Sequence, residues 1–229
     1  EGTFGEVRKA VDSLSGTTVA VKRVRILSRR AGIPKAVFRE MEALRQLSAG
    51  EHILKLHDVY ADEANLCLVL DYIESDLSEV ISSSEQSLPQ SHLKCYFRMI
   101  LQAVQYCHAR NVIHRDIKPA SMFLHCRQNI KQLYANGHVS HINSTDLLLT
   151  SNGVLKLGDF GLARIFDAHC AEQLSHQVAT RQYRAPELLF ASRSYTPAVD
   201  VWSAVVVMAE LCTLQCSLFT CLCIDPNVL

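Results

Sequence analysis

Two short groups of polar residues carry the chemistry that this sequence offers. His114-Arg115-Asp116-Ile117-Lys118-Pro119 places a carboxylate two positions before an ammonium group, which suits a hydroxyl group meeting a phosphoryl group. Asp159-Phe160-Gly161 offers a second carboxylate on a turn, and carboxylate oxygens suit hard cations. Because the two groups occur together and in this order, they predict a site for phosphoryl chemistry.

Hydrophobic periodicity predicts the elements that must position these groups. Thr17–Val24 alternates and is rich in β-branched residues, so it predicts a strand. Apolar residues recur at helical spacing in Ala36–Leu47 and in His92–Arg110, and the second of these helices leads directly into His114. Two further strands are predicted at Ile53–Tyr60 and Leu66–Tyr72.

Composition and charge exclude several classes of protein. Of the 229 residues, 48% are apolar and 20% are charged, which is ordinary for a soluble globular protein. Lys+Arg and Asp+Glu each total 23, so no overall field favours nucleic acid or a membrane surface as a partner. The nine cysteines form no paired CxxC spacing and no secretion signal is seen, which favours reduced thiols in the cytoplasm or nucleus. The apolar segment Val201–Ile224 is interrupted by Glu210, so it predicts a buried helix rather than a membrane span.

These groups give the chain a resemblance to the protein kinases. H-R-D-x-K-P resembles the kinase catalytic loop and D-F-G resembles the magnesium-binding segment. Val19-Ala20-Val21-Lys22 resembles the third kinase strand, and Ala185-Pro186-Glu187 resembles the anchor of the activation segment. The resemblance implies an α+β, bilobal fold with a small β-rich N-lobe and a mainly helical C-lobe. It also implies ATP and Mg²⁺ as cofactors.

Further motifs resemble the cyclin-dependent kinases, and most of all their cell-cycle-related kinase branch. These motifs are Phe38-Arg39-Glu40-Met41, Ser75–Val80 and Ser175–Thr180. The resemblance implies a serine/threonine kinase with a cyclin or cyclin-like activator that contacts the helix around Phe38. Its substrates would carry Ser or Thr before Pro.

The resemblance also implies a role for each site residue. Asp116 would accept or orient the proton of the substrate hydroxyl, and Lys118 would steady the γ-phosphate. Asp159 would bind magnesium, and Asp146 aligns with a second metal position. The implied nucleotide contacts are Lys22 with its partner Glu40, the glycine-rich loop Gly2, Thr3, Phe4, Gly5 and Val7, the strand residue Ala20, and Leu70, Asp71 and Ile73 of the hinge.

Regulation and substrate choice are implied by the activation segment. Ser175 stands at the position where an activating kinase adds phosphate, with a charge of about −1.5 to −2. Thr180 and Arg184 match the proline-directed substrate site, although Gln182 departs from the usual tryptophan. Thr3 stands at an inhibitory phosphorylation position. Three arginines at motif positions would converge on the phosphate at Ser175, namely Arg39, Arg115 and Arg164.

One tract interrupts the resemblance. We predict an N-lobe over residues 1–72 and a C-lobe over 73–229, with an unstructured insert over 121–145 that contains no Asp or Glu. The insert holds His125, Cys126, His138 and His141, but their spacing matches no standard zinc site. Codons at its two junctions are compatible with an unspliced intron. The first kinase strand and the last C-lobe helices have no counterpart, so we expect a fragment that is incomplete at both ends.

Two functions remain open from the sequence. The first is an ATP-dependent serine/threonine kinase of the cyclin-dependent type. The second is a catalytically impaired fragment that acts only by binding a cyclin-like partner through the helix that contains Phe38. The interrupted catalytic loop is the reason to keep the second function in view.

Overall fold

An antiparallel four-stranded sheet forms the first lobe. The computed structural model describes residues 6–26, 33–62, 64–73, 75–78, 81, 88–126, 153–166 and 174–213. The β-branched run predicted as a strand lies inside the sheet and pairs on both sides, as its apolar composition requires. The strands lie in the order β1-β2-β4-β3 and are β1 (Glu6–Val11), β2 (Thr18–Arg25), β3 (Leu56–Asp62) and β4 (Asn65–Asp71).

Helix α1 (Lys35–Gln46) is the helix of the first lobe. Pro34 immediately precedes it, in the extended conformation that proline allows just before a helix. The helix buries Val37, Ala43 and Leu44 and, on the same face, the charged Glu40. A carboxylate on a buried face needs a partner, so this position already indicates more than a structural role.

Three α-helices of the second lobe lie within the described residues. They are α2 (Gln90–His108), α3 (Pro186–Leu189) and α4 (Ala198–Thr213). Short strands carry the site between them, in the sheets β5-β7-β8 and β6-β9. These strands are β5 (Ser75–Asp76), β6 (Val112–Ile113), β7 (Met122–Cys126), β8 (Gly153–Leu157) and β9 (Arg164–Ile165).

One apolar cluster runs through both lobes. It joins Leu44 and Leu68 of the first lobe to Ile100 of α2 and Leu211 of α4, and Phe160 lies within it with no exposed surface. The bilobal α+β architecture expected from the resemblance is therefore confirmed. Among the helices of the described residues, none is long and apolar enough to cross a membrane.

The structure differs from the predicted insert at its first six residues. Ser121 lies in a 3₁₀ turn, and Met122–Cys126 forms β7, which pairs with β8 and β5. Met122 is fully buried and faces Leu157 in the register. The physical reason is that the run Met122-Phe123-Leu124 is itself apolar and directly follows the turn, so it can complete the sheet. Residues 127–145, and Asp146 after them, lie outside the described residues.

A carboxylate joins the two lobes where β4 ends. Asp71 Oδ2 lies 2.6 Å from Lys156 Nζ of β8, and its Oδ1 lies 2.7 Å from His57 Nε2 of β3. The amide of Lys55 also donates to Asp71 Oδ2 at 3.2 Å. Burial raises the pKa of Asp71, but the hydrogen bond and charge of Lys156, with the bonds from His57 and Lys55, outweigh burial and hold the pKa below its ordinary value.

Replacing a strained alanine with glycine should stabilise the fold. Ala191 follows α3 with φ 57°, a left-handed conformation that costs an L-residue about 1–2 kcal/mol. After the greater chain entropy of glycine is subtracted, we expect Ala191→Gly to raise the free energy of unfolding by about 0.5 kcal/mol. Urea unfolding measures this change.

The matched control is Ala109→Gly, because Ala109 is also exposed but has φ −63°. Here glycine should lower stability by about 0.5–1 kcal/mol, since only the entropy cost remains. Equal losses in the two variants would contradict the assignment of strain to Ala191.

Removing the Asp71 carboxylate should destabilise the folded chain in a pH-dependent way. Because its pKa is lower when folded, the carboxylate contributes fully above its ordinary value of about 3.9 and loses that contribution as pH falls below it. We expect Asp71→Asn to cost about 2 kcal/mol at pH 7, and the difference from the unaltered chain to shrink toward pH 3. Urea unfolding across this pH range measures both.

Asp62→Asn is the control, because Asp62 pairs with Arg23 at 2.7 Å but its side chain is 43% exposed. An exposed pair contributes about 0–1 kcal/mol, so this variant should change little. If the difference in the free energy of unfolding between Asp71→Asn and the unaltered chain stays constant from pH 7 to pH 3, the lowered pKa assigned to Asp71 is wrong.

Candidate active site

A buried carboxylate of α4 holds the turn that carries the H-R-D residues. Asp200 is 1% exposed and accepts the backbone amides of His114 and Arg115, each at 2.8 Å. His108 Nε2 lies 2.9 Å from Asp200 Oδ2. Arg115 has φ 67°, a conformation that persists only where its surroundings enforce it. Asp200 therefore braces the catalytic turn, His114–Asp116, and His108 is a contact that the sequence did not reveal.

Asp116 is engaged by three hydrogen bonds from two residues. Lys118 Nζ lies 2.6 Å from Oδ2, and Thr180 donates to Oδ1 through both its amide and its hydroxyl, each at 2.8 Å. Burial raises the pKa of Asp116, but the hydrogen bond and charge of Lys118 and the bonds from Thr180 outweigh burial and lower that pKa. The carboxylate is therefore ionised at neutral pH and can accept a proton.

Lys22 and Glu40 form the ion pair that the sequence predicts. Lys22 Nζ lies 2.8 Å and 2.7 Å from the two carboxylate oxygens of Glu40, whose side chain is 5% exposed. Burial raises the pKa of Glu40, and the nearby charge of Asp159 adds to this, while Lys22 acts in the opposite direction. The pair connects β2 with α1, so α1 lies close enough to the sheet for Glu40 to hold Lys22.

Asp159 points its carboxylate toward the same cleft. It has φ 60° and ψ 57°, a left-handed conformation that turns the chain at the start of D-F-G. Asp159 Oδ2 lies 3.9 Å from Lys118 Nζ, and the side chain is 46% exposed. The following Phe160 is buried and its ring lies 4.7 Å from the ring of His114. Backbone conformation and packing together aim the carboxylate outward.

The donor chemistry of this carboxylate fits a magnesium ion. Mg²⁺ is usually held by one or two carboxylates together with phosphate oxygens and water. Asp159 supplies an accessible carboxylate beside Lys118, which suits a magnesium-bound nucleotide. Among the described residues no group of three or more His, Cys, Asp or Glu side chains could enclose a metal without such a ligand. The predicted metal residue Asp146 lies outside the described residues.

The predicted nucleotide contacts of the sheet lie together where they are described. Ala20 faces Leu70 in the register, and Val7 faces Lys22. Leu70 is buried, Val7 is exposed, and Ile73 packs against the main core. The backbone amide of Asp71 donates to Lys55 O at 3.1 Å, so this amide is already used. Gly2, Thr3, Phe4 and Gly5 lie outside the described residues.

The three predicted arginines do approach one another. Burial lowers the pKa of Arg39, and the charges of Arg115 and Arg164 lower it further. Arg115 donates to Leu162 O at 2.8 Å and to the hydroxyl of Tyr195 at 3.2 Å. Tyr195 in turn donates to the backbone oxygen of the exposed Ser175 at 2.7 Å. Tyr195 thus links the arginine cluster to Ser175, and no motif in the sequence indicated it.

The residue before Thr180 has an unusual backbone. Ala179 has φ 66°, and its carbonyl accepts a hydrogen bond from Arg184 Nη2 at 2.9 Å. The Nε atom of Arg184 is buried without a hydrogen-bond partner among the described residues. The predicted substrate residue Thr180 therefore lies next to Asp116, and the carbonyl of Ala179 just before it is turned toward the second predicted substrate residue, Arg184.

Comparisons with known proteins agree with this arrangement. The family profile described as protein kinase domain matches residues 1–220. Cyclin-dependent kinase 20 of Danio rerio is 39% identical over 211 residues, which are 92% of this chain and 54% of that protein. The human cyclin-dependent kinase 20 is 36% identical with the same coverage. Cyclin-dependent kinase D-1 of Arabidopsis thaliana is 39% identical over 92% of this chain and 46% of that protein.

The chain spans about half the length of the curated relatives it matches. The match nevertheless includes both lobes and every motif named above. The chain therefore belongs to the protein kinase family, and the relatives it resembles within that family are cyclin-dependent kinases.

Proposed function

We propose that this protein transfers the γ-phosphoryl group of ATP to a serine or threonine hydroxyl that precedes proline. The observation that carries the proposal is that Lys118 lies beside both Asp116 and Asp159, while the Lys22–Glu40 pair lies close enough to Asp159 for its charge to raise the pKa of Glu40. Two lobes each supply part of this set, so a nucleotide bound between them would contact both.

Each charged group suits one part of the reaction. The substrate oxygen would form a bond to the γ-phosphorus while the bond from that phosphorus to the bridging oxygen of the diphosphate breaks. Asp116 would orient the hydroxyl and take up its proton, which an ionised carboxylate can do. Lys118 would neutralise charge on the γ-phosphate, and Lys22, held by Glu40, would contact the inner phosphates.

Magnesium would supply a positive charge that offsets the charge on the phosphates. Asp159 is the residue that would hold it, because its carboxylate is accessible and lies beside Lys118. The left-handed backbone of Asp159 and the burial of Phe160 fix the direction of this carboxylate before any ligand binds. Preorganisation of this kind lowers the cost of binding a charged ligand.

The geometry at Ala179 supports selection of proline. A substrate residue with a backbone amide would need an acceptor there, but the carbonyl of Ala179 is turned to Arg184. An amide buried without a partner costs about 1–3 kcal/mol, whereas proline has no amide hydrogen to satisfy. The residue after the phosphorylated Ser or Thr would therefore be proline.

A partner surface and an activation site complete the proposal. Phe38 of α1 is 55% exposed and, together with Arg39, lines a cleft of about 340 Å³ between α1 and β9. A cyclin-like protein that covered this apolar patch would hold α1, and with it Glu40, in place. Phosphate added to Ser175 by another kinase would meet Arg115 and the neighbouring arginines. Because no disulfide is formed by the described cysteines, the cytoplasm or nucleus suits the protein.

Neutralising Asp116 should stop phosphoryl transfer and leave nucleotide binding intact. Asp116→Asn keeps the size and one oxygen of the side chain but cannot take up a proton. We expect kcat on a Ser-Pro peptide to fall at least about 100-fold. Transfer of radiolabelled phosphate measures the rate, and a fluorescent ATP analogue measures binding.

Asp62→Asn is again the control, and it should keep full activity. Turnover by Asp116→Asn at the rate of the unaltered chain would contradict the role proposed for Asp116. If the unaltered chain binds a cyclin-like partner but transfers no phosphate, the partner-binding alternative is favoured instead.

Freeing the carbonyl of Ala179 should weaken the selection of proline. We expect the unaltered chain to favour a Ser-Pro peptide over the matching Ser-Ala peptide by roughly tenfold in kcat/KM, since the alanine amide lacks an acceptor. Arg184→Ala releases the carbonyl, so the ratio should fall to about twofold. Arg181, three residues before Arg184, is exposed, and Arg181→Ala should retain the ratio.

The measurement is kcat/KM for the two peptides with each variant. Because a ratio is compared within one protein sample, a smaller folded fraction does not change it. A ratio in Arg184→Ala equal to that of the unaltered chain would show that the carbonyl does not select the substrate.

A further inference from the structure

Ser121 fastens the catalytic turn to the turn that carries Asp159. Its hydroxyl donates to Lys118 O at 2.8 Å and accepts the amide of Lys118 at 3.1 Å. Its backbone carbonyl accepts the amide of Gly158, the residue before Asp159, at 2.9 Å. Ser121 has no exposed surface. One small residue therefore ties together the segments that place Lys118 and Asp159.

These contacts leave the Ser121 side chain unable to serve a cation. Its hydroxyl hydrogen and one lone pair are both used by the backbone of Lys118, and burial closes off the rest. A hydroxyl that turned toward a cation would leave the Lys118 amide without its partner, while the Lys118 carbonyl would keep only the Ser121 amide at 3.0 Å. An amide that loses its partner in a buried turn costs about 1–3 kcal/mol.

Both carboxylate oxygens of Asp116 are also used by hydrogen bonds within the protein. Its Oδ2 is bonded to Lys118 at 2.6 Å and its Oδ1 accepts two bonds from Thr180. Asp159 differs, because its side chain is 46% exposed and its nearest ammonium is 3.9 Å away. Within the described part of this cleft, one carboxylate is thus open to a cation, and the oxygen donors beside it are already in use.

Building on the proposed function, we infer that Asp159 is the carboxylate through which the described part of the cleft holds a divalent cation, and that Ser121 is a positioning residue rather than a metal ligand. A cation held by Asp159 would supply positive charge that offsets the charge on the phosphates. Ser121 would act through Lys118 and Gly158, by keeping the ammonium and the carboxylate at the separation that a phosphate group requires.

Manganese binding followed by electron paramagnetic resonance tests the roles of Asp159 and Ser121 directly. The protein is saturated with a non-hydrolysable ATP analogue and titrated with Mn²⁺, with the analogue alone as a reference. We expect Mn²⁺ to bind the protein–nucleotide complex at least tenfold more tightly than it binds the free analogue. Asp159→Asn should reduce this affinity to that of the free analogue, because the carboxylate is the protein's share of the site.

Ser121 variants test the second half of the inference. Ser121→Ala should keep the affinity for Mn²⁺, while kcat falls roughly tenfold with the KM for ATP unchanged, since hydrogen bonds that position the loop are lost. Ser121→Thr retains the hydroxyl and should recover most of the lost kcat. Binding of a fluorescent ATP analogue reports the folded fraction of each variant.

Several outcomes would overturn the inference. An affinity for Mn²⁺ in Asp159→Asn equal to that of the unaltered chain would do so. A fall in Mn²⁺ affinity in Ser121→Ala as large as that in Asp159→Asn would make Ser121 a ligand. If the unaltered chain bound no ATP analogue at all, the proposed function itself would fail and the inference with it.

Discussion

The structure depends on buried carboxylates that are fixed by several donors at once. Asp200 is the clearest case, because its two oxygens hold the amides of His114 and Arg115 in a turn whose backbone is strained. Without that carboxylate, Arg115 would have no reason to adopt a left-handed conformation. The position of Asp116, one residue later, follows from this turn. The carboxylate of Asp200, which takes no part in the proposed reaction, therefore positions the carboxylate of Asp116, which does.

Paired carboxylates also hold the first lobe together and join it to the second. Within the first lobe, Glu40 is buried on α1 and bonded to Lys22 of β2, and between the lobes Asp71 joins the end of β4 to Lys156 of β8. A buried ion pair gains little net stability, because desolvation offsets most of the attraction. It does, however, penalise arrangements in which either partner is left alone. Lys22–Glu40 and Asp71–Lys156 thus fix the geometry of a cleft more than they stabilise the fold.

The sequence predicted the charged site residues that lie within recognisable motifs. Asp116, Lys118, Lys22, Glu40 and Asp159 lie in motifs, and the structure pairs Lys22 with Glu40 and places Lys118 beside both Asp116 and Asp159. The sequence missed Tyr195 and His108, because each acts through a contact with a distant segment and belongs to no periodic pattern. The positive φ angles of Ala179 and Ala191 were also hidden, since alanine does not signal a left-handed backbone.

The start of the predicted insert shows a second limit of prediction from the sequence. The family pattern resumes at Asp146, which suggested that the intervening residues add nothing to the fold. The structure instead uses Met122–Cys126 as a strand against Gly153–Leu157. An apolar run of this length can satisfy a sheet edge wherever it follows a suitable turn, so pattern matching alone could not decide the boundary. The consequence is chemical, because it puts the hydroxyl of Ser121 at the centre of the catalytic turn.

The central claim is that two lobes place Lys22 and Lys118 around the phosphates of one nucleotide. An ATP derivative with a reactive acyl-phosphate end tests it, because it transfers its acyl group only to lysines near the phosphates, which mass spectrometry then identifies. The account predicts acylation of Lys22 and Lys118 that excess ATP prevents, and little on Lys55 or Lys156, which lie at the lobe junction around Asp71. Labelling that ignores ATP, or that falls on Lys55 and Lys156 as strongly as on Lys22, would contradict it.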